Sequence, residues 1–412
     1  MNNKRFIEQN FPVKEVSKES AREKNIRHGH ISTLHIWWAR IPLASSRATA
    51  YAALIPAPKP WDTEERDKRR QFIIELSKWE NSLNHVIIEK AREDILEANG
   101  GNPLKVLDPF AGGGAIPLEA LRLRCETYAG EYNPVAVLIL KCTLEYPQKY
   151  GKSGISEGLF PDSQPAMPNP LLEDVKKWGN RVFEDAKREI GRFYPEERDG
   201  SIPAGYIWAR TIPCQNPSCG VEIPLMRQFW LANKDNKKVA LKPFVNNGKV
   251  EFEIVKKPDF DPAKGTVKGA VARCLVCGST VDANTTRKLF QEGKASQRLV
   301  AVVLQHPKKK GKTYRVTAER DLEIFKEAGE YLEEKRRKLM VEWGIDPVPD
   351  EPLPPKRSHR AVGSQLPLYS FKTWGVLFNT RQKLALITFA EKARLAYKKM
   401  IEEGCMGCTP VR

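Results

Sequence analysis

The stretch Lys105-Val-Leu-Asp108-Pro-Phe-Ala-Gly-Gly-Gly114 decides the fold that this sequence predicts. Lys105–Asp108 is typical of a short buried strand, and three consecutive glycines lie in the turn that follows it. Ile116–Arg124 continues as a helix, Thr127–Glu131 predicts a second strand, and Asn133-Pro134 begins another helix as N-cap and first helical residue. Strand, glycine turn, helix and strand make a βαβ unit, so the sequence predicts a parallel sheet of the α/β class.

The glycine turn predicts a ligand site. Gly112 and Gly114 let the backbone approach a bound molecule and adopt conformations that other residues resist. A dinucleotide fingerprint is disfavoured because Pro117 stands at its third glycine position, and a phosphate-binding loop is disfavoured because Ala115-Ile116 replaces Lys-Ser/Thr. Asp108, at the strand end, suits a cationic or hydroxyl-bearing ligand better than a pyrophosphate. A plain strand–helix turn without a ligand is the alternative interpretation.

The string from Asp108 to Gly114 resembles the first motif of S-adenosylmethionine-dependent methyltransferases, and it is typical of amino-methyltransferases that act on DNA. The resemblance implies that Glu131, at the end of the second strand, binds the ribose hydroxyls of the cofactor. It also implies a set of cofactor-binding residues in the turn, namely Asp108, Pro109, Phe110, Ala111, Gly112 and Gly114.

Further blocks of the chain extend this resemblance. They are, in chain order, Phe11–Lys24, Arg27–His30, Leu34–Arg40, Tyr206–Cys214 and Lys372–Gln382. Together they resemble a prokaryotic family of adenine-specific DNA methylases that contain a zinc ribbon and an N-terminal domain of unknown function with a Trp-Trp-Ala-Arg signature. The resemblance implies a class I, Rossmann-like, doubly wound methyltransferase fold with an inserted β-rich zinc-ribbon domain. It further implies an in-line transfer of the cofactor's methyl group to the exocyclic amine of adenine in DNA, with catalysis mostly by positioning.

One motif of such enzymes is missing from this sequence. Amino-methyltransferases hold the target amine with Asp/Asn/Ser-Pro-Pro followed by an aromatic residue that stacks on the flipped base. The nearest matches here are Asp346-Pro-Val-Pro, in a proline-rich linker, and Asn133-Pro-Val-Ala, which is better interpreted as a helix cap. No catalytic residue is therefore assigned. We expect a DNA methyltransferase of which the chain resembles the cofactor-binding N-terminal part, either as the first product of a split gene or as a truncation. The alternatives are a non-catalytic subunit that binds DNA and cofactor, and a methyltransferase that acts on RNA.

Two cysteine pairs predict a metal site. Each is followed by a glycine and resembles a zinc knuckle, and four thiolates in a tetrahedral array make a closed structural zinc site. The 54 residues between the pairs require a β insertion between the knuckles, and unligated thiols are the alternative. The predicted ligands are Cys214, Cys219, Cys274 and Cys277.

The other cysteines and the histidines carry weaker signals. Cys125 and Cys142 flank apolar segments and are predicted to fill the core. Cys405 and Cys408 form a third close pair with no partner pair and stay unassigned. The histidines of the N-terminal signature are predicted to make polar contacts near the ligand rather than to bind metal, and the two tryptophans there either anchor the core or border the cofactor pocket. These residues are His28, His30, His35, Trp37 and Trp38.

Composition limits the class of protein. The 412 residues are 41% hydrophobic and 29% charged, which excludes a collagen, a coiled-coil rod and a mainly disordered chain. With 68 Lys and Arg against 51 Asp and Glu, the net charge of +17 favours a polyanionic partner, DNA here, although lysine enrichment for thermal stability is the alternative. The basic turn Lys308–Lys310 is either solvated or in contact with phosphates. No apolar run approaches about 18 residues and no signal peptide is recognisable, so we expect a cytoplasmic protein.

The expected domain organisation has four parts. Residues 1–150 hold the signature region and the cofactor-binding βαβ half, and residues 151–200 form a connector and a helix. Residues 201–318 form the β-rich insertion with the zinc ribbon, and residues 319–412 form a helical return segment of the methyltransferase region.

Overall fold

The computed structural model describes residues 4–26, 29–37, 39–151, 169–354 and 366–404. The chain divides into two compact units, Met1–Lys176 and Lys177–Arg412. The predicted regions 201–318 and 319–412 both lie in the second unit. No helix in the described parts of the chain is both long and apolar enough to cross a membrane.

Four helices begin the first unit: α1 (Val13–Glu23), α2 (Leu43–Leu54), α3 (Thr63–Ser77) and α4 (His85–Ala98). The sequence predicted two helices between residues 63 and 99, and both are confirmed, with a short 3-10 turn between them. Their inward faces form one apolar core around the largely buried helix α2, with members Phe6, Tyr51, Ile73, Leu76 and Ile95.

The predicted βαβ unit follows these helices. It consists of β1 (Lys105–Asp108), α5 (Ala115–Arg122) and β2 (Glu126–Ala129). The two strands pair in parallel, with Asp108 opposite Ala129, so the parallel pair is confirmed. Helix α6 (Pro134–Leu140) comes next, and the Asn133 side chain accepts a hydrogen bond from the Val135 N–H as its predicted N-cap. A π-helical segment (Lys141–Glu145) and the short helix α7 (Tyr146–Tyr150) continue the chain.

The parallel sheet of the described residues contains only β1 and β2. Parallel sheets are normally covered by helices on both faces, and their side chains are buried. Here Leu107 of β1 is 69% exposed and Tyr128 of β2 is 49% exposed. The larger, doubly wound sheet implied by the resemblance stays a prediction.

A buried arginine joins the helices to the βαβ unit. Arg47, on α2, is fully buried and donates to the Leu76 and Lys78 carbonyls at 2.7 and 3.1 Å. Its third hydrogen bond, at 3.1 Å, goes to the carboxylate of Glu119, which is itself fully buried on α5. Arg122 also pairs with Glu119, so two guanidinium groups compensate the buried carboxylate, and the bond from Arg47 fixes α5 against the helical core.

The two isolated cysteines behave differently from each other. Cys125 is 4% exposed in the core, as predicted. Cys142 is exposed, so the prediction that it fills the core was wrong. Cys142 lies in the π-helical segment, whose wider turn directs Leu144 rather than Cys142 inward.

The second unit contains three antiparallel sheets. Helix α8 (Pro170–Ile190) crosses the unit boundary and leads into them. The first sheet has the order β12-β11-β3-β4, the second β5-β6-β7 and the third β10-β9-β8. Their bounds are β3 (Ile202–Pro213), β4 (Glu222–Leu225), β5 (Trp230–Lys234), β6 (Lys237–Asn246), β7 (Lys249–Lys256), β8 (Val267–Lys268), β9 (Val271–Arg273), β10 (Thr280–Val281), β11 (Ser296–Gln305) and β12 (Lys312–Val316), with helix α9 (Ala283–Gln291) after β10. The β-rich character predicted for this region, and its basic hairpin before β12, are confirmed.

Both faces of the central strand β3 are covered within the second unit. On one face Ala209 packs with Leu241 and Val250 of the β5-β6-β7 sheet. On the other face the Trp208 ring contacts the Phe325 ring in a tilted arrangement, with 4.6 Å between the ring centroids. That face is covered by α10 (Glu319–Trp343) and α11 (Thr380–Glu402), which confirm the two predicted C-terminal helices.

Candidate cofactor site and candidate metal centre

The glycine turn lies where β1 ends beside the end of β2. Gly112 and Gly114 have φ angles of +51° and +78°, in the left-handed region that favours glycine. A Cβ atom at Gly114 would lie 2.8 Å from Leu140 Cδ2, so packing as well as backbone conformation requires glycine there. The sequence prediction of a tight turn with a close approach is confirmed in its backbone geometry.

Glu131 is tied to this turn by hydrogen bonds. Its Oε2 accepts from the Gly112 N–H at 2.8 Å, and its Oε1 accepts from the Tyr132 and Asn133 N–H groups at 2.8 and 3.0 Å. Donation by Asn133, Gly112 and Tyr132 stabilises the carboxylate and lowers the pKa of Glu131. The lowered pKa favours the ionised carboxylate of Glu131 beside the turn. A carboxylate can accept hydrogen bonds from hydroxyl groups.

The other predicted turn residues lie together at the same edge of the sheet. Asp108 accepts a hydrogen bond from the Phe110 N–H at 3.2 Å, and the buried Ala111 donates to the Gly130 carbonyl at 2.9 Å. Pro109 is exposed, and the Phe110 side chain is 86% exposed. The structure thus brings all seven predicted cofactor-binding residues to one edge and leaves Phe110 facing solvent.

Two residues of the N-terminal signature cover the glycine turn. A Cβ at Gly112 would lie 3.0 Å from Trp37 Nε1, and a Cβ at Gly113 would lie 3.2 Å from Arg40 Nη2. Trp37 thus borders the glycine turn, and the interpretation that it borders a cofactor pocket stays a prediction. Trp38 and His28 lie outside the described residues.

Arg40 has unused hydrogen-bonding capacity at this position. Its Nη2 donates to the His35 carbonyl at 3.1 Å, but its Nε and Nη1 are buried and have no partner among the described residues. Burial lowers the pKa of Arg40, and no carboxylate opposes that effect. An orphaned guanidinium beside a glycine turn fits a ligand with an anionic group. The turn, Glu131 and Arg40 thus bring glycine backbone, a carboxylate and an arginine together at one edge of the sheet.

The sequence did not indicate the role of Glu23. This buried residue on α1 accepts hydrogen bonds from the Leu43 and Ala44 N–H groups, both at 2.8 Å, and so caps the first turn of α2. His30 Nε2 lies 2.7 Å from the same carboxylate, which confirms the prediction of a polar contact for this histidine. Sequence usually indicates such a cap by an acid at the start of the helix itself. Here the acid lies 20 residues before the helix, so local sequence gives no sign of it.

The four predicted zinc ligands are brought together in the second unit. The Sγ atoms of Cys214, Cys219, Cys274 and Cys277 all lie within 4.8 Å of one another. Cys214 and Cys277 are 3.6 Å apart at sulfur, and Cys219 and Cys274 are 3.9 Å apart. A tetrahedral zinc site with Zn–S bonds of about 2.3 Å requires S···S separations of about 3.8 Å. The donor set and its spacing are therefore compatible with zinc.

The backbone of each knuckle has the predicted form. Gly220 and Gly278 follow the two pairs with φ angles of +58° and +74°. Each turn is closed by a hydrogen bond, from Gly220 N to the Asn216 carbonyl at 3.1 Å and from Gly278 N to the Cys274 carbonyl at 3.1 Å. Three of the four cysteines pack in a small core that holds the centre, which also contains Ile212, Ile223, Val281 and Leu289.

Hydrogen bonds favour the thiolate form of one of these cysteines, whereas burial raises the pKa of Cys214. The Ser279 hydroxyl and backbone N–H stabilise the sulfur of Cys277 and lower its pKa to about 6. A deprotonated sulfur is the form that binds metal. The third pair, Cys405 and Cys408, lies outside the described residues.

Comparison with known proteins adds one match. Residues 10–78 match a family model described as a protein of unknown function, DUF1156. This region contains α1, α2 and the segment with Trp37 and Arg40. No curated protein and no solved structure matches the chain.

Proposed function

We propose that this chain is the cofactor-binding part of an S-adenosylmethionine-dependent DNA methyltransferase, specific for the N6 amine of adenine. The single observation that carries the proposal is the glycine turn at the ends of two parallel strands, with Glu131 bonded to it. In α/β sheets ligands bind at the carboxyl ends of the strands, which is where this turn lies.

The residues of this chain have distinct roles in the proposed site. Glu131 offers carboxylate oxygens to the ribose hydroxyls, and the glycines let the cofactor reach the backbone. Arg40 pairs with the cofactor carboxylate through the nitrogens that lack a partner. When bound, the cofactor supplies an electrophilic methyl group on sulfonium. An exocyclic amine attacks such a methyl directly, so no nucleophilic residue of this chain is needed.

The acceptor half of the proposed reaction rests on the resemblance. Adenine in DNA follows from the family, and the net charge of +17 supports a nucleic acid partner. The tetrapeptide that holds the target amine is absent from residues 1–412, so we propose that it is supplied from outside these residues. The two-stranded sheet with exposed faces favours this arrangement over a complete enzyme. A non-catalytic cofactor- and DNA-binding subunit is the second candidate that the same observation supports.

Zinc is the proposed occupant of the cysteine cluster, in a structural role. Four sulfur ligands leave no open coordination position for substrate, and closed sites of this kind stabilise folds rather than catalyse. All six cysteines of the described residues are free thiols, which fits a reducing compartment, and we propose the cytoplasm.

Calorimetry with S-adenosylmethionine tests the cofactor site. The chain should bind it, and Asp108→Ala and Gly112→Val should each abolish binding. Lys105→Ala is the matched control, because this residue lies at the opposite end of the same strand with its side chain 72% exposed. Unchanged affinity in both turn variants would refute the assignment.

Decarboxylated S-adenosylmethionine isolates the contribution of Arg40 to cofactor affinity. Arg40→Gln should weaken S-adenosylmethionine binding about tenfold or more, since hydrogen bonds to charged groups contribute about 1.5–3 kcal/mol. The same substitution should leave the affinity for decarboxylated S-adenosylmethionine unchanged. An equal loss for both ligands would mean that Arg40 acts on the turn rather than on the carboxylate.

A further inference from the structure

A basic surface is assembled from three strand ends of the second unit. Strands β5 and β6 are joined at Lys234–Lys237, β7 ends at Lys256, and β11 and β12 are joined by the turn from residue 306 to 311. Nine lysines lie at these ends and are called the lysine cluster: Lys234, Lys237, Lys238, Lys256, Lys257, Lys308, Lys309, Lys310 and Lys312.

Strand pairing brings the three ends together. Val239 pairs with Lys256, and the Lys257 N–H donates to the Lys238 carbonyl at 3.1 Å, so β6 begins where β7 ends. Lys237 Nζ donates to the Lys312 carbonyl and lies 5.6 Å from the centre of the Tyr314 ring. The Tyr314 hydroxyl donates to the Leu231 carbonyl at 3.1 Å, which fixes β12 against β5. The two hairpin turns therefore form one continuous surface.

The charge of the lysine cluster is not neutralised within the described residues. None of the nine lysines forms an ion pair there, and all except Lys237 are exposed. The acids of the surrounding loops are fewer: Asp199, Asp235, Asp259 and Asp261. Of these, Asp259 pairs with Lys242 and Asp261 with Lys264, both outside the cluster. Like charges at close range destabilise each other, so the crowding of these lysines does not stabilise the fold by itself.

An aromatic groove lies beside the lysine cluster. It has a volume of about 610 Å³ and is lined by Trp230 and Phe260 and by charged residues, of which three are lysines and two are acids: Lys237, Lys238, Lys257, Asp235 and Asp261. Grooves that combine lysines with aromatic rings suit nucleic acid, because phosphates pair with the cations and a ring stacks on a base or packs on a sugar. Both rings are half-buried.

We propose that the lysine cluster and this groove bind the phosphodiester backbone of a nucleic acid. The inference rests on the proposed function for its choice of partner and adds the surface that makes the contact. That surface lies wholly within the second unit.

Salt-dependent binding to short labelled oligonucleotides tests the proposal. The tip variant replaces Lys308, Lys309 and Lys310 by Gln in the exposed turn, where no packing is lost. The control variant replaces three other exposed lysines that form no ion pair among the described residues, Lys249, Lys326 and Lys338, by Gln. Both variants lose the same charge, so the net charge of the whole chain is matched.

The expected result is specific to the tip variant. For duplex DNA its slope of log affinity against log salt should be shallower by up to about 2.7, since each phosphate contact contributes about 0.9. Its affinity should fall at least about tenfold, while the control variant keeps the wild-type slope. Parallel measurements with single-stranded DNA and duplex RNA identify which backbone is bound most tightly.

Several results would overturn the inference. They can be told apart from a failure of the proposed function. Equal losses in the tip and control variants would show that only overall charge matters. Tip-dependent binding to phosphatidylserine vesicles without binding to any oligonucleotide would indicate a membrane surface instead. If wild-type chain binds no nucleic acid, the DNA partner of the proposed function fails as well. Calorimetry with S-adenosylmethionine reports on the cofactor site independently of all these outcomes.

Discussion

The cysteine cluster and the glycine turn are both candidate sites, but they differ in completeness. The four sulfur atoms lie within 4.8 Å of one another and belong to a single unit with its own small core. The glycine turn has a fixed acid and an orphaned arginine, yet its sheet consists of two strands with exposed apolar side chains. A closed metal centre needs only four equivalent ligands on short turns. A methyl-transfer site must hold both the cofactor and the acceptor amine. The proposed site therefore needs further strands or a further chain segment beside β1 and β2.

Metal removal tests the complete site and should have the largest effect. Zinc should co-purify at about one equivalent and be lost in the Cys274→Ser/Cys277→Ser double variant. Structural zinc contributes about 10–16 kcal/mol in zinc-finger peptides, so the β-rich region should unfold at lower temperature without it. Elemental analysis and thermal unfolding measure the two effects.

Cys142→Ser is the control for this experiment, because Cys142 is exposed and lies outside the cluster. It should retain both the metal and the stability. Full zinc occupancy in the double variant would show that the ligand set is wrong.

Methyl transfer tests the incomplete site. The chain alone should bind S-adenosylmethionine yet methylate DNA very slowly, because nothing in it aligns the acceptor amine. Orientation of two reactants contributes about 7–11 kcal/mol to lowering a barrier. A polypeptide with the missing Asp-Pro-Pro-aromatic motif should restore the activity, measured as transfer of a radiolabelled methyl group.

Rapid turnover by residues 1–412 alone would contradict this view. It would mean that an unrecognised motif in the chain already holds the base. The comparison between a complete and an incomplete site would then no longer hold.

The anchoring of α5 tests how the turn is held. Arg47→Ala should destabilise the first unit by about 3 kcal/mol, because it removes a buried guanidinium that bonds two backbone carbonyls and leaves Glu119, on the helix that follows the turn, paired with Arg122 alone. Urea denaturation, followed with a probe in that unit, measures the change. The double variant Arg47→Met/Glu119→Leu should recover most of the loss. If Arg47→Ala leaves stability unchanged, the turn does not depend on this pair.

Much of the secondary structure could be predicted because local rules govern it. The helix over Glu319–Trp343 and the strand over Lys249–Lys256 have the predicted bounds, since their apolar spacing is regular. Asn133 and Asn379 cap their helices as their side-chain chemistry favours. Cys142 was mispredicted because a π-helical segment changes the phase of the inward face, and residue spacing alone gives no sign of it.

The sequence by itself determined the composition of both sites. The glycines and the two cysteine knuckles are encoded in short strings, because a tight turn and a metal ligand each require particular residue types at fixed spacing. The same is true of Glu131, the acid that follows β2.

Only the tertiary structure decided what surrounds those strings. Arg40 lies against Gly113, more than 70 residues away in the chain, and Glu23 caps a helix that begins 20 residues later. The lysine cluster likewise forms from hairpins that are far apart in sequence. Such contacts depend on how apolar faces pack, and packing joins residues whose separation along the chain carries no signal.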